Sequence, residues 1–151
     1  MIILADSREK KPYTFEKYPV QVEVAALTEG DYSLAGFTDR VAVERKSLND
    51  LIGCLVGSNR TRFKKELART GSYERFAVLV EANIQDVSFK RYRSLMEPHA
   101  ALQSITAFYI RYGIPFLFCG DRDGAEYVPF SILQKYYYEI EKRFKILKKR
   151  F

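Results

Sequence analysis

The residues best suited to chemistry lie close together, between Gly30 and Asp50. Asp31 follows a glycine, and a short apolar run at 41–43 leads directly into Glu44, Arg45 and Lys46. Two carboxylates on adjacent strands provide the oxygen ligands that Mg²⁺ or Mn²⁺ prefers. A lysine beside them can stabilise negative charge on a phosphate. The pattern therefore predicts a metal-dependent site that hydrolyses a phosphodiester.

The spacing of Glu44 and Lys46 assigns them to one pocket. Residues two apart on a strand project from the same face, so Arg45 between them points away. If the strand that begins at Asp31 pairs with this one through a hairpin, Asp31 lies within a few ångströms of Glu44. A cation between the two carboxylates would relieve their repulsion, activate water and neutralise charge on the phosphate. Lys46 would orient the attacking water or stabilise the pentacovalent transition state.

Additional polar residues extend this set. Asp6, Arg8 and Glu9 follow a first apolar strand, so we expect their side chains at the same edge of the sheet. Asp50 lies four positions beyond Lys46. An isolated glutamate and lysine with one residue between them most often form a structural ion pair, and only the complete set favours a metal site.

Three motifs together resemble the nuclease domain of the XPF family of structure-specific DNA endonucleases, which belongs to the PD-(D/E)XK superfamily. The motifs are Asp6-x-Arg8-Glu9, Gly30-Asp31-Tyr32 and Val43-Glu44-Arg45-Lys46-x-x-x-Asp50-Leu51. Looser matches follow at 62–67 and 76–81.

This resemblance implies a role for each motif residue. Asp31 and Glu44 are the implied metal ligands, and Asp6 and Glu9 complete the acidic cluster. The implied catalytic lysine is Lys46. The implied supporting residues are Arg8, Arg45 and Asp50, with Arg45 counted among the catalytic group. The expected cofactor is Mg²⁺, for which Mn²⁺ would substitute.

The apolar patterns predict alternating strands and helices. The predicted strands are 1–6, 20–24, 31–34, 40–44, 76–80 and 115–119. The predicted helices are 47–57, a second from about 59, 98–113 and about 131–151, with a turn at 121–124. Strands interrupted by helices in this way indicate an α/β domain with a central mixed sheet flanked by helices. The resemblance makes this sheet the centre of a restriction-endonuclease-like three-layer domain, which we expect to occupy residues 1–151 alone.

Composition excludes several classes of protein. The chain has 47% hydrophobic residues and no low-complexity stretch, which argues against disorder. No apolar run is long enough to span a membrane, and the first residues do not form a signal peptide. Cys54 and Cys119 are too far apart in sequence for a metal-binding or redox motif. We therefore expect an intracellular protein, in the cytoplasm, nucleoid or nucleus, with no membrane partner.

Basic residues indicate where DNA would bind. The net charge of +6 is concentrated at 131–151, with seven basic and two acidic residues. On the second predicted helix, Arg62, Lys65 and Arg69 form one basic stripe that could contact phosphates, although a solvated helix face is an equally good interpretation. The expected substrate is branched DNA or DNA with a single-strand/double-strand junction.

Relatives in this family commonly add a helicase domain or a tandem helix-hairpin-helix tail. Neither is found in these 151 residues, so we expect a stand-alone nuclease domain. Its DNA affinity would then come from a partner protein or from the basic helix at 131–151. The family and the apolar helix at 98–112 also indicate a homodimer. Two alternatives remain open: a duplex or junction nuclease of the wider superfamily, and a catalytically silent DNA-binding subunit.

Overall fold

The computed structural model describes residues 1–150, in which a six-stranded mixed sheet carries helices on both faces. The strands are β1 (Ile2–Asp6), β2 (Gln21–Ala25), β3 (Tyr32–Leu34), β4 (Val41–Lys46), β5 (Arg75–Val80) and β6 (Phe116–Phe118). The helices are α1 (Leu48–Gly53), α2 (Gly57–Arg69), α3 (Ile84–Ser88), α4 (Pro98–Tyr112) and α5 (Arg122–Arg150), with a 3₁₀ turn at Thr70–Ser72. This architecture confirms the predicted α/β class.

The strand order determines which residues meet at one edge of the sheet. The order is β2-β1-β3-β4-β5-β6, and only β3 is antiparallel to its neighbours. The carboxyl ends of the other five strands therefore lie at the same edge as the beginning of β3. This edge receives the residues that follow β1, β4 and β5 and those that precede β3.

Two apolar clusters make the domain three layers thick. On one face of the sheet, α1, α2 and α4 cover a cluster that includes Val78 and Val80. On the other face, α5 and the loop after β1 cover a cluster that includes Leu79. The assignment of these three consecutive β5 residues follows the two-residue period of a strand.

The last helix begins well before its predicted start at Ser131. The predicted turn at 121–124 is wrong, because Arg122 already begins α5 and the side chain of Asp121 accepts a hydrogen bond from the Gly124 amide at 3.1 Å. Gly124 and Pro129 both disfavour a helix interior by propensity. Pro129 is nevertheless buried against the sheet, so tertiary packing outweighs the local preference.

Other boundaries shift by a few residues. Ser47 caps α1 as predicted, with its hydroxyl accepting from the Asp50 amide, but the helix ends at Gly53 instead of reaching Gly57. The second helix begins at Gly57, two residues before Asn59. The predicted strand at 115–119 is shorter and only half-buried, because β6 is an edge strand.

The predicted end of α4 is confirmed, since Gly113 adopts the left-handed conformation (φ 68°) that favours glycine. Among residues 1–150, no helix combines the length and the apolar character needed to cross a membrane.

Candidate active site

The first element of the site is the turn that delivers Asp31. Gly30 has φ +79°, and a Cβ atom placed there would lie 2.8 Å from Cβ of Ala42, so glycine is required on both counts. The Asp31 amide then donates to the Val43 carbonyl at 2.8 Å, and its Oδ2 accepts from the Arg45 amide at 2.7 Å. Asp31 precedes β3 instead of belonging to it, but these bonds fix it against the end of β4.

Glu44 and Lys46 project from the same face of β4, as predicted from their spacing. The Lys46 Nζ atom lies 3.7 Å from Oε1 of Glu44 and 5.3 Å from the centre of the Phe63 ring. Their side chains are only 23% and 13% exposed. A lysine and a glutamate are thus held together in a partly desolvated pocket between β4 and α2.

The two carboxyl groups resist ionisation in this pocket. Burial and then the neighbouring Asp31 raise the pKa of Glu44 above its usual value. Burial also raises the pKa of Asp31, against the opposing hydrogen bond from the Arg45 amide. Burial alone would lower the pKa of Lys46, but the attraction of Glu44 outweighs it and the pKa is raised.

This arrangement fits a divalent cation. Two mutually repelling carboxylates in a half-buried pocket gain stability when a cation lies between them, and Mg²⁺ is commonly held by one or two carboxylates and several waters. Within residues 1–150, no three carboxylate, cysteine or histidine side chains converge closely enough to surround one ion. The residues that would hold such an ion are Asp31 and Glu44, with solvent or substrate oxygens as the remaining ligands.

Asp6 ends β1 at the same edge, but it is engaged in holding the neighbouring loop. Its Oδ1 accepts from the Leu27 amide at 2.9 Å and its Oδ2 from Nε of Arg8 at 2.8 Å. Burial raises the pKa of Asp6, yet these two hydrogen bonds outweigh it and hold the pKa below its usual value. Arg8 also donates to the Leu27 carbonyl at 2.8 Å, while most of its side chain faces solvent.

Arg45 points away from Glu44 and Lys46, as predicted, and meets Glu9 there. Its NH1 atom donates to Oε2 of Glu9 at 3.0 Å, and the same oxygen accepts from the Tyr32 hydroxyl at 2.8 Å. The site thus has two layers: Asp31, Glu44 and Lys46 line the pocket, and Glu9 and Arg45 form a polar layer behind β4.

Two residues that the sequence interpretation assigned no role complete this rear layer. Glu81, directly after β5, accepts from Nε of Arg45 at 2.6 Å through its Oε1 atom. Tyr13 donates its hydroxyl to the same oxygen, and its ring lies 4.0 Å from the Arg45 guanidinium. Arg45 is held by an ion pair on each side and an aromatic ring across one face.

The chain also matches a known protein family. The family model of the ERCC4 domain matches residues 5–130, which includes the pocket, the layer behind it and five of the six strands in full. The chain belongs to the ERCC4 domain family. It is a nuclease domain of the XPF type, as the three motifs predict.

Individual relatives agree with this assignment of the ERCC4 domain. The 3′-flap repair endonuclease Xpf of Saccharolobus solfataricus is 31% identical over 139 residues, a match to 89% of this chain and 55% of that protein. The chain thus spans just over half the length of that curated relative. Among solved structures, XPF from Aeropyrum pernix superposes with a TM-score of 0.74 at 23% identity, covering 96% of this chain and 69% of that one. The Aeropyrum pernix protein in complex with DNA gives 0.71 at 25% identity, covering 91% and 66%.

The remaining predicted residues of this ERCC4 domain lie on α1 and α2. Asp50 is exposed in the first turn of α1, where its amide is capped by Ser47. Arg62 and Lys65 are exposed on α2, the helix that contributes Phe63 to the pocket. Arg69, at the end of that helix, pairs with Glu29 at 2.7 Å.

Glu81, which ends the looser family match at 76–81, is indicated by the sequence, whereas Tyr13 is not. Glu81 ends a continuous apolar run, and carboxylates after parallel strands gather at one sheet edge. That rule would identify Glu81 once β4 and β5 are known to be neighbours. Tyr13 lies in an irregular loop and contacts a residue 68 positions away, so no local pattern indicates it.

Proposed function

We propose that this ERCC4 domain is the catalytic domain of a metal-dependent endonuclease that hydrolyses phosphodiester bonds in branched DNA of the flap or fork type. The observation that carries the proposal is the pocket itself, in which Asp31, from the turn before β3, lies at the end of the strand that carries Glu44 and Lys46. The name of the Saccharolobus solfataricus relative and the DNA complex of the Aeropyrum pernix protein support DNA as the substrate. The relative's name also supports a role in DNA repair or recombination.

The pocket residues have distinct roles in this proposal. Asp31 and Glu44 would hold Mg²⁺ or Mn²⁺, which when bound supplies Lewis acidity and lowers the pKa of a water molecule. Lys46 places an ammonium group beside them and donates hydrogen bonds to a phosphate oxygen as negative charge grows on it. Glu44 keeps this ammonium charged and in place through the 3.7 Å contact.

Asp6 and Glu9 are further proposed ligands, but they are less available to a metal ion than Asp31 and Glu44. Each already accepts two hydrogen bonds, from Leu27 and Arg8 in one case and from Tyr32 and Arg45 in the other. Direct coordination requires them to exchange one of these partners. Through an intervening water, they would contribute negative charge without that exchange.

A cleavage assay on a panel of DNA substrates tests the proposal. Flap, fork, four-way junction and plain duplex of matched sequence are incubated with the protein and Mg²⁺, beside the Asp31→Ala variant. Asp39→Ala provides the control, because Asp39 is exposed in the loop between β3 and β4, away from the pocket. We expect cleavage of flap or fork that Asp31→Ala loses and Asp39→Ala keeps.

The other outcomes identify the rival functions. Equal cleavage of the plain duplex indicates a duplex nuclease of the wider superfamily. DNA binding without cleavage, together with no calorimetric binding of Mg²⁺ or Mn²⁺, indicates a silent DNA-binding subunit. Either result contradicts the proposal.

We also propose that the domain self-associates through α4. Helix α4 is apolar on more than one side, and its outer face leaves Tyr109 49% and Ile110 74% exposed. Light scattering at micromolar concentration tests this: we expect a dimer that Ile110→Glu converts to a monomer. A monomeric wild-type protein contradicts the proposal. The exposed face of α4 would then be assigned to contact with a different protein.

A further inference from the structure

Behind the pocket lies a small buried group that includes Tyr13, Glu81 and Arg45. Tyr13 is 1% exposed, and its ring stacks on Tyr32 with 5.3 Å between centroids and 22° between planes. The Tyr13 amide donates to the Tyr32 hydroxyl at 2.8 Å. The loop that carries Tyr13 is therefore tied to the strand that begins directly after Asp31.

Glu81 contacts the end of β4 through both its backbone and its side chain. Its amide donates to the Lys46 carbonyl at 3.0 Å, and its Oε1 atom accepts from the Arg45 side chain at 2.6 Å. One glutamate thus fixes two consecutive residues of the strand that bears the pocket.

The Arg45 side chain is restrained by contacts on this side of β4. Its guanidinium donates to Glu81, to Glu9 at 3.0 Å and to the Lys11 carbonyl at 2.6 Å, while the Tyr13 ring covers one face. A second guanidinium, from Arg122 at the start of α5, lies 5.1 Å from the centre of the Tyr13 ring. The ring is held from two different elements.

The arrangement links the buried group to the pocket through one residue. Arg45 lies between Glu44 and Lys46 in sequence, and its amide is the donor that holds Oδ2 of Asp31 at 2.7 Å. Fixing the Arg45 side chain therefore restrains the strand segment that carries Glu44 and Lys46, together with the amide that holds the Asp31 carboxylate.

We propose that Tyr13 and Glu81 are positioning residues: they hold Arg45 so that Asp31, Glu44 and Lys46 keep the geometry needed for metal binding and cleavage. This inference rests on the proposed function for its kinetic part. Tyr13 is too deeply buried to contact DNA, so its effect reaches the substrate through its neighbours: Glu81 and Arg45, and Tyr32 stacked on its ring. Displacing catalytic groups by about 1 Å can cost on the order of 100-fold in rate.

The protein contains a matched control at the opposite end of β5. The buried Tyr136 donates its hydroxyl to Oε2 of Glu74 at 2.8 Å, and Arg143 lies 3.6 Å from the same oxygen. Glu74 precedes the six-residue β5, whereas Glu81 follows it, so the two groups are separated by roughly 20 Å. Tyr136→Phe and Glu74→Gln therefore repeat the chemical changes of Tyr13→Phe and Glu81→Gln away from the pocket.

The experiment compares these four variants with the wild type in three measurements. They are the calorimetric affinity for Mn²⁺ without DNA, kcat and KM on the preferred branched substrate, and the melting temperature. For Tyr13→Phe and Glu81→Gln we expect Mn²⁺ affinity and kcat to fall by about 10-fold, as when a group that orients a metal ligand is lost. We expect KM to stay within about twofold and the melting temperature to match the controls, because DNA contacts and packing are unchanged.

The result that overturns the proposal is equally specific. If Tyr13→Phe and Glu81→Gln match Tyr136→Phe and Glu74→Gln in Mn²⁺ affinity and kcat, the buried group is structural only. If Mn²⁺ affinity and kcat fall in all four variants in proportion to the fall in melting temperature, the buried group is likewise structural only. A wild-type protein that binds Mn²⁺ but does not cleave contradicts the proposed function alone, because the Mn²⁺ comparison still decides the role of Tyr13 and Glu81. A wild type that does neither overturns both.

Discussion

The backbone amide of Arg45 donates to Oδ2 of Asp31 at 2.7 Å, which joins the turn before β3 to the end of β4. Only one of the Asp31 carboxylate oxygens is used by this bond. The other is left for a ligand in a pocket where burial and neighbouring acids already oppose the negative charge. One residue thus serves both as a structural link and as a proposed ligand, and a suitable substitution separates the two roles.

Asp31→Asn is expected to abolish cleavage without destabilising the fold. The asparagine Oδ1 can still accept from the Arg45 amide, but the negative charge is lost. Loss of a residue that only hydrogen-bonds a metal ligand lowers metal affinity by roughly 10- to 100-fold. Loss of a ligand charge should lower Mn²⁺ affinity by at least as much. Calorimetry, a cleavage assay and thermal melting check this, with Asp39→Asn as the exposed control. Cleavage at the wild-type rate would exclude Asp31 as a ligand.

Lys46→Met is expected to separate DNA binding from cleavage. Methionine fills the space beside Phe63 but provides no ammonium group, so kcat should fall by about 100- to 1000-fold, as when one donor to developing charge is removed. The DNA dissociation constant should change little, because the Lys46 side chain is only 13% exposed.

The control for this substitution is Lys142→Met. Lys142 also pairs with a glutamate, Glu139, at 3.1 Å, but it lies on the exposed part of α5. Full activity is expected for this variant. A parallel loss of DNA affinity and kcat in Lys46→Met would instead assign Lys46 to substrate binding.

The raised pKa values of the pocket carboxyls predict how stability depends on pH. Burial and Asp31 raise the pKa of Glu44 from 4.5 to about 8, and burial raises that of Asp31 from 3.8 to about 6. The folded state then binds these protons more tightly than the unfolded state. The free energy of unfolding therefore decreases as pH rises from about 4 to about 8. The pKa of Asp6 is lowered from 3.8, so its contribution to stability is present at higher pH, is lost only as pH falls below about 4, and does not offset the change above pH 5.

Thermal melting of the metal-free protein between pH 5 and pH 8 checks this dependence. The melting temperature should fall across the interval, and Asp31→Asn should flatten the fall, since it removes one titrating group and its repulsion of Glu44. Millimolar Mg²⁺ should restore stability most at pH 8, where Asp31 is charged and Glu44 is about half charged in the metal-free protein. Identical slopes for the variant and the wild type would show that the pocket does not determine the dependence.

The pocket could be predicted from the sequence because its geometry depends on local rules. Glu44 and Lys46 share a face through the two-residue period of a strand, and Asp31 reaches them through an adjacent hairpin. Gly30 marks the turn because no other residue fits beside Ala42. These relationships need no knowledge of the rest of the fold.

The layer behind the pocket depends on strand order and long-range packing, which local patterns do not contain. Glu81 becomes a neighbour of Arg45 only because β5 lies beside β4, and Tyr13 reaches both from an irregular loop. The start of α5 was missed for a related reason. Gly124 and Pro129 disfavour a helix locally, but burial of Ala125, Pro129 and Phe130 against the sheet stabilises it.

The basic stripe on α2 provides the last prediction, which concerns where DNA is held. Arg62 and Lys65 are exposed on the helix that contributes Phe63 to the pocket, whereas Arg69 is occupied by Glu29. Each lost phosphate contact lowers the slope of log affinity against log salt by about 0.9 on duplex DNA. Arg62→Ala with Lys65→Ala should therefore weaken binding and lower the slope by almost two, and Arg69→Ala alone should do less.

The matched comparison is Lys148→Ala with Lys149→Ala, which removes the same charge from the exposed end of α5. Only a contact near the pocket holds the scissile phosphate beside Lys46, so we expect the α2 variant to raise KM while kcat at saturating DNA stays unchanged. The α5 variant should alter neither KM nor the salt slope. The opposite pattern would show that the basic end of α5 holds the DNA, and the α2 stripe would then be a solvated helix face.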